Sequence, residues 1–263
     1  MSIDRDYTNV DFIPGGEDYP DRWAAEGRAF RETQAAIGRA RLNMAYGPGE
    51  RQKFDLFHPP GPAKGLAVFV HGGYWLRFDR SFWSQFSAGL TGQGWAVAVP
   101  SYTLAPEVRI TAITLEVARA VEAAAAMVPG PVRLAGHSAG GHLVARMGCR
   151  DVALQGEVRD RIARIVPISP VGDLRPLRQT QMNDALGLDA DEAETESPVL
   201  HQAPDAPVTV WVGAEERPVF LEQARWLAEA WGAPLRVDPG RHHFDVIDGL
   251  CDEDSALVGA ILS

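Results

Sequence analysis

A serine flanked by small residues stands in the segment Gly136-His137-Ser138-Ala139-Gly140, which has the pattern Gly-x-Ser-x-Gly. On a tight turn from a strand to a helix, this pattern holds a serine hydroxyl clear of the sheet, because the small neighbours relieve the crowding. The apolar run 132–135 supplies a strand before the turn, and 141–147 supplies a helix whose amide dipoles favour negative charge beside the serine. This context predicts a nucleophile at Ser138, against the alternative of a loop serine without a role.

A serine hydroxyl is a weak nucleophile near neutral pH. It therefore needs a base within hydrogen-bond reach and an acid that holds the base in the correct tautomer. The acid is expected after the serine and before the histidine along the chain. Two glutamates, Glu215 and Glu216, follow the apolar run 208–212. We expect Glu216, three residues beyond Gly213, to be the acid, and Glu215 is the alternative because a one-residue shift in the turn would exchange the two.

The base is expected in the loop 239–244, which follows the last apolar run and precedes a C-terminal helix. This loop contains two neighbouring histidines, His242 and His243, and its residues alone leave both open. His137 and His142 lie too close to the nucleophile in sequence to come from a separate loop. We expect these two to shape the pocket or to pack, with His137 as a candidate for substrate contact.

Two glycines in the segment His71-Gly72-Gly73-Tyr74-Trp75 directly follow an apolar run. Glycines allow backbone N–H groups to approach a negatively charged oxygen closely. With the N–H of Ala139, those of Gly72 and Gly73 would stabilise a tetrahedral intermediate, each contributing on the order of 3 kcal/mol to the lowering of the barrier. The alternative interpretation is a simple turn at the end of a strand.

Neither a metal nor an organic cofactor is predicted. The grouping of His71, His137 and His142 suggests a metal site, but no carboxylate or cysteine stands near them at ligand spacing. A serine mechanism needs no cofactor, and no metal is expected at the site.

Short apolar runs alternate with segments of helical period from about residue 50 onward. This alternation predicts an α/β fold with a mostly parallel sheet covered by helices on both faces. Apolar spacing of three and four residues predicts a helix over 113–128, ended by Pro129-Gly130-Pro131, and another over 220–231. The predicted strands are 54–57, 66–70, 95–99, 132–135, 165–168, 208–212 and 235–238.

Two stretches depart from the alternation, although the whole chain, 1–263, is expected to form a single domain. Residues 1–45 are polar and aromatic, with a predicted helix over 23–37, and are expected to cover the mouth of the sheet. Residues 172–205 are acidic and rich in Pro, Asp and Glu. We expect the two stretches to form a small N-terminal and inserted cap.

The charge and cysteine content exclude several classes of partner. A net charge of −10 argues against a phosphate-backbone ligand, so nucleic acid is not an expected partner. The two cysteines, Cys149 and Cys251, are far apart in sequence and predict neither a disulfide framework nor a zinc site. A polar N-terminus and the absence of a long apolar run predict a soluble, cytoplasmic protein without a membrane segment.

The combination of these motifs resembles the hormone-sensitive-lipase-like branch of the α/β hydrolases and, within it, the kynurenine formamidases, also called arylformamidases. The resemblance implies the α/β-hydrolase fold and His243, rather than His242, as the base. It further implies hydrolysis of a formyl amide on an aromatic amine without a cofactor. Where the animal enzymes of this family carry Asp, this chain has Glu216. The resemblance runs from about residue 46 to 250, and the segments that carry it are 71–75, 102–110, 136–140, 173–177, 216–220 and 243–245.

The leading hypothesis is therefore an arylformamidase with Ser138, His243 and Glu216 as its catalytic residues. Tyr74 and Trp75 are expected to narrow the acyl side and stack on an aryl leaving group, or else to pack under the N-terminal segment. A carboxylesterase or thioesterase for short acyl groups is the alternative, and a catalytically silent binding homologue is a third hypothesis. The expected partner is a small acyl amide or ester, and a homodimer is compatible with the sequence.

Overall fold

The structure, a computed structural model, describes residues 3–263 and contains one eight-stranded sheet. The strand order is β1-β2-β4-β3-β5-β6-β7-β8, with the pairs β1–β2 and β2–β4 antiparallel and all others parallel. The strands are β1 Ala40–Ala45, β2 Lys53–Phe57, β3 Leu66–Val70, β4 Ala96–Pro100, β5 Val132–His137, β6 Ile162–Ile168, β7 Val210–Gly213 and β8 Leu235–Asp238.

Helices cover both faces of this sheet, which is why its central strands are continuous apolar runs. Every residue of β3 and of β4 is buried. The α-helices are α1 Ile3–Asp6, α2 Tyr19–Ala36, α3 Ala88–Gly92, α4 Ile110–Ala125, α5 Ala139–Gly148, α6 Gly156–Arg161, α7 Asn183–Leu186, α8 Ala190–Thr195, α9 Pro218–Trp231 and α10 Ala256–Leu262. Short 3-10 helices span Val10–Phe12, Gly16–Asp18, Arg80–Phe82, Ser84–Ser87, Arg175–Gln179, Pro198–Leu200 and Asp248–Cys251. The predicted α/β-hydrolase fold is confirmed.

One strand was not predicted from the sequence. The first strand was expected at 54–57, but β1 precedes it and pairs with β2 at the edge of the sheet. Its residues alternate between partly buried and exposed, and its pairing shifts register between Arg41 and Met44, where Asn43 has a φ of 60°. An edge strand with half its side chains in solvent lacks the apolar signal of a buried one, so this stretch was assigned to the N-terminal extension.

A buried ion-pair group joins α2 to the sheet. The Asp55 carboxylate on β2 is fully buried and accepts from Arg31 Nε at 2.8 Å and Arg80 Nε at 3.1 Å. Its Oδ1 also accepts from the Asn43 amide at 2.8 Å. A buried carboxylate needs such paired donors, because an unpaired charge in the interior is strongly destabilising.

The two stretches expected to form a cap are in contact with each other. The Asp4 carboxylate accepts from the Gln181 amide at 2.5 Å, which joins the first stretch to the second. Residues 1 and 2 of the predicted extension lie outside the described residues. Among residues 3–263, no helix is long and apolar enough to cross a membrane.

Candidate active site

Ser138 lies on a sharp turn between β5 and α5. Its φ of 55° and ψ of −115° form a strained conformation for a residue with a side chain, which costs about 1 to 3 kcal/mol and occurs mostly at functional sites. A Cβ atom on Gly140 would lie 2.0 Å from the Val70 carbonyl oxygen, and one on Gly136 would lie 2.2 Å from that of Gly140. The two glycines of the motif are therefore required by the close approach of the backbone around the turn.

Glu216 is a buried carboxylate at the end of β7. Its side chain has no exposed area, and its Oε2 accepts a hydrogen bond of 2.6 Å from His243 Nδ1. Its Oε1 accepts from the Gly213 amide at 2.9 Å and from the Ser169 hydroxyl. Glu215, the alternative acid, is exposed, and its amide donates to the Arg241 carbonyl. The geometry thus favours Glu216 over its neighbour.

The contact with Glu216 also fixes the tautomer of His243. Because a carboxylate only accepts, Nδ1 must carry the hydrogen, and in the neutral ring Nε2 is then free to accept a proton. His242, the alternative base, turns away from the nucleophile: its Nε2 lies 3.3 Å from the Tyr19 hydroxyl, and its Nδ1 accepts from the Phe244 and Asp245 amides. Of the two histidines, only His243 has the contacts that a base requires.

Ser138 and His243 line the same cavity, which has a volume of ≈ 490 Å³. Within residues 3–263 the Ser138 hydroxyl has no hydrogen-bond partner, and none joins it to His243 Nε2. Catalytic hydrogen bonds are commonly long without substrate and tighten when it binds. Six of the other lining residues are aromatic: Tyr7, Trp23, Tyr74, Phe78, Trp83 and Phe244.

The three predicted oxyanion donors flank the nucleophile. Among the described residues, the amides of Gly72, Gly73 and Ala139 have no acceptor. A Cβ on Gly72 would lie 3.2 Å from Ser138 Cβ, which shows how close that loop comes. Gly73 has a φ of 111° and lines the cavity, and Ala139 begins α5, where the first amides of a helix lack partners inside the helix.

The two aromatic residues after the glycines have different surroundings. Tyr74 lines the cavity, and its hydroxyl donates to the Tyr7 carbonyl at 2.5 Å and accepts from Asn9 Nδ2 at 2.9 Å. Trp75 has no exposed area and packs edge-on against His142 at 5.2 Å. Trp75 is not among the lining residues of the cavity, so its burial favours the alternative role, packing, over substrate contact.

Burial disfavours the charged forms of His71 and His137. Desolvation is the largest cause of the low pKa of His71, which is about 4, and the same cause holds the pKa of His137 well below its usual range. His137 lines the cavity and its Nε2 donates to the His243 carbonyl at 2.8 Å, so its unpartnered Nδ1 is an acceptor. His137 thus supports the loop of the base and adds no positive charge.

The N-terminal segment, residues 4–23, forms one side of the cavity. It contributes two carboxylates, Asp4 and Glu17, whereas Arg77 is the one Arg or Lys among the lining residues that the structure describes. The mouth of the cavity is therefore not a basic surface. This matters for substrates with phosphate groups, since such groups are usually bound by Arg and Lys.

One group of side chains elsewhere has the composition of a metal site. Cys149, Asp151 and His201 bring ligand atoms within 4.8 Å of one another. Arg146, however, donates to both oxygens of Asp151, at 3.1 and 2.6 Å, and desolvation raises the pKa of the Cys149 thiol to about 11. A carboxylate already neutralised by a guanidinium and a protonated thiol are poor metal ligands.

Sequence reasoning missed Ser169, which contacts Glu216. Ser169 directly follows β6, and the end of a parallel strand is where functional groups collect, so its position was a usable signal. Asn9, which contacts Tyr74, comes from a segment without regular alternation, where the family resemblance is weaker.

Comparisons with known proteins extend these observations. A family model of the alpha/beta hydrolase fold matches residues 67–218. The kynurenine formamidase of Drosophila melanogaster is 30% identical over 235 residues, covering 81% of this chain and 77% of the relative. That of Salmo salar is 27% identical and covers 88% of this chain and 84% of the relative. A crystal structure of a candidate thioesterase from Silicibacter sp. tm1040 is 54% identical, with a TM-score of 0.97 and all of both chains covered.

Proposed function

The chain belongs to the hormone-sensitive-lipase-like branch of the alpha/beta hydrolase family and is a hydrolase, and from this premise we propose that it cleaves formamides of aromatic amines by a serine mechanism. The observation that carries the proposal is the buried pair of His243 and Glu216, joined at 2.6 Å, beside a cavity that His243 shares with Ser138. The names of the relatives at 30% and 27% identity support the substrate class.

In the proposed mechanism, Ser138 Oγ attacks the formyl carbon while His243 Nε2 accepts its proton. Glu216 holds the Nδ1–H of the imidazolium that forms and stabilises its charge. The amides of Gly73 and Ala139, with that of Gly72, donate to the developing oxyanion. His243 then gives its proton to the nitrogen of the leaving amine as the C–N bond breaks.

A second half-reaction completes the cycle. Water attacks the formyl ester on Ser138, with His243 again accepting the proton, and the products are formate and free enzyme. The aromatic wall of the cavity, including Trp23 and Phe244, offers a surface on which an aryl group can stack. The formyl group itself is the smallest acyl group and needs little room beside the nucleophile.

A thioesterase or carboxylesterase for short acyl groups is the second candidate, because the 54% identical structure is that of a candidate thioesterase. The charges that line the cavity argue against a thioesterase that acts on coenzyme A thioesters. A coenzyme A thioester carries several phosphates, and the described lining offers Arg77 beside two carboxylates, Asp4 and Glu17. Small esters and uncharged thioesters remain suited to the same cavity.

A substrate panel separates the two candidates. We expect a higher kcat/KM for N-formylkynurenine than for p-nitrophenyl acetate or a short acyl thioester, and loss of all three activities in Ser138→Ala. A formamide rate at background beside rapid ester or thioester cleavage would overturn the formamidase proposal and leave the second candidate.

The catalytically silent homologue is tested with a fluorophosphonate, which modifies an activated serine. Labelling of the wild type that disappears in Ser138→Ala supports an enzyme with this nucleophile. A folded protein that is inert to the probe would favour a binding protein instead. A cytoplasmic location and a homodimer stay predictions, to be checked by cell fractionation and by light scattering of the purified protein.

A further inference from the structure

The two oxygens of the Glu216 carboxylate have different partners. Oε2 faces His243 Nδ1, whereas Oε1 accepts from the Ser169 hydroxyl and from the Gly213 amide. A glutamate has one more rotatable bond than an aspartate, so more side-chain freedom is lost when it is fixed in place. The contacts of Oε1 therefore determine where Oε2 points.

Ser169 lies between the strands that carry the nucleophile and the acid. It directly follows β6, has no exposed area, and has a φ of 47° in the left-handed region. The carbonyl of the preceding residue, Ile168, accepts from the Ser138 amide at 2.8 Å, and the Ser169 amide donates to the Trp211 carbonyl at 2.7 Å. One short segment is thus bonded to the turn of the nucleophile and to β7, which leads to the acid.

The Ser169 side chain has a single role among the described contacts. Its hydroxyl donates to Glu216 Oε1 and makes no other hydrogen bond within residues 3–263. Ser169 does not line the cavity, so it cannot touch a bound substrate. A residue other than glycine is rarely kept at a positive φ unless its side chain is needed or the surroundings impose it.

We infer that Ser169 is a positioning residue for the acid: its hydroxyl fixes the rotamer of Glu216 so that Oε2 stays on His243 Nδ1. The inference rests on the proposed serine mechanism. Without the hydroxyl, Oε1 keeps only the Gly213 amide, and the carboxylate is free to rotate away from the imidazole. The base then spends part of its time in an unproductive orientation, which slows proton transfer from Ser138 without weakening substrate binding.

The test compares rate constants for fluorophosphonate labelling of Ser138 in two variants. Ser169→Ala and Ser169→Gly both remove the hydroxyl, but glycine also relieves the positive φ. We expect labelling to slow by about 10- to 100-fold in both, the effect of losing one hydrogen bond to a charged group. On an accepted substrate, kcat falls by a similar factor while KM stays within about twofold. Ser87→Ala is the matched control, since Ser87 is equally buried and its hydroxyl has no hydrogen-bond partner within residues 3–263; its labelling rate stays unchanged.

A double variant shows whether the effect passes through the acid. If it does, Ser169→Ala adds little to the loss already caused by Glu216→Ala, because the group that it positions is gone. Additive losses, or labelling of folded Ser169→Gly at the wild-type rate, would overturn the inference. If Ser169→Ala is labelled slowly but Ser169→Gly is not, the loss comes from the backbone conformation and not from the hydroxyl, which overturns the inference too. Failure of the proposed mechanism looks different: the wild type would not be labelled, or Ser138→Ala would still be.

Discussion

Replacing Glu216 with glutamine exchanges one carboxylate oxygen for an NH₂ group in a site where every neighbour is a donor. In the native site the carboxylate accepts from His243 Nδ1, the Gly213 amide and the Ser169 hydroxyl. The Gly213 amide is fixed in the backbone and cannot turn away, so we expect the glutamine oxygen to remain there. Its NH₂ group then faces His243.

That orientation forces the wrong tautomer on the base. With an NH₂ donor opposite Nδ1, the imidazole must accept there and carry its hydrogen on Nε2, where it can no longer take the proton of Ser138. A tautomer error of this kind costs about 10⁴-fold in kcat, or about 5 kcal/mol in the barrier. The fold should survive, because the size and most hydrogen bonds of the side chain are kept.

The measurement is kcat on an accepted substrate, with urea unfolding to verify the fold. Glu215→Gln is the matched control, since it makes the same change at the neighbouring exposed residue and should leave kcat within about twofold. A folded Glu216→Gln variant with more than a tenth of the wild-type kcat would refute the reasoning. An equal loss in Glu215→Gln would refute it as well.

Three further predictions concern the base, a buried charge and pH. His243→Ala should lower kcat about 10³-fold or more while His242→Ala stays within about threefold, and comparable losses in steady-state assays would contradict the assignment. Asp55→Ala should lower the free energy of unfolding in urea by about 3 kcal/mol, since it leaves two partly buried guanidinium groups without their carboxylate. His71 and His142 have pKa values lowered by desolvation, to about 4 and about 3, so the unfolded chain binds more protons below pH 6.5. The free energy of unfolding should therefore decrease as the pH is lowered from 6.5 to 4, by on the order of 3 kcal/mol per histidine. An unfolding free energy that does not change with pH would contradict this prediction.

Much of the sheet was predictable because buried parallel strands consist of continuous runs of apolar residues. The predicted bounds of β3, which is fully buried, agree with the structure, and the predicted 132–135 is the first part of β5. The bounds of β8 also agree, although its residues are partly buried or exposed. The helix expected over 113–128 spans Ile110–Ala125, so it ends before the Pro-Gly-Pro segment that was expected to stop it. The edge strand β1 had no such signal, because half of its residues face solvent.

The sequence predicted which residue types form the site, but it predicted the directions of their side chains less well. The order of serine, acid and histidine led to candidates on three loops that the structure brings together, but a choice between Glu215 and Glu216 depends on one residue of turn geometry. Trp75 shows the limit most clearly. Its ring is buried although Tyr74, with a similar positive φ, lines the cavity, and no spacing rule reports such a difference between neighbouring loop residues.

The wall of the cavity contributed by residues 4–23 lies outside the segment 67–218, which carries the match to the hydrolase family. The proposed nucleophile and acid lie inside that segment, whereas the proposed base, His243, lies outside it together with this wall. Exchanging residues 4–23 for those of a related protein should change which substrates fit the cavity. A classification based on 67–218 alone therefore covers neither all three proposed catalytic residues nor the whole lining of the cavity.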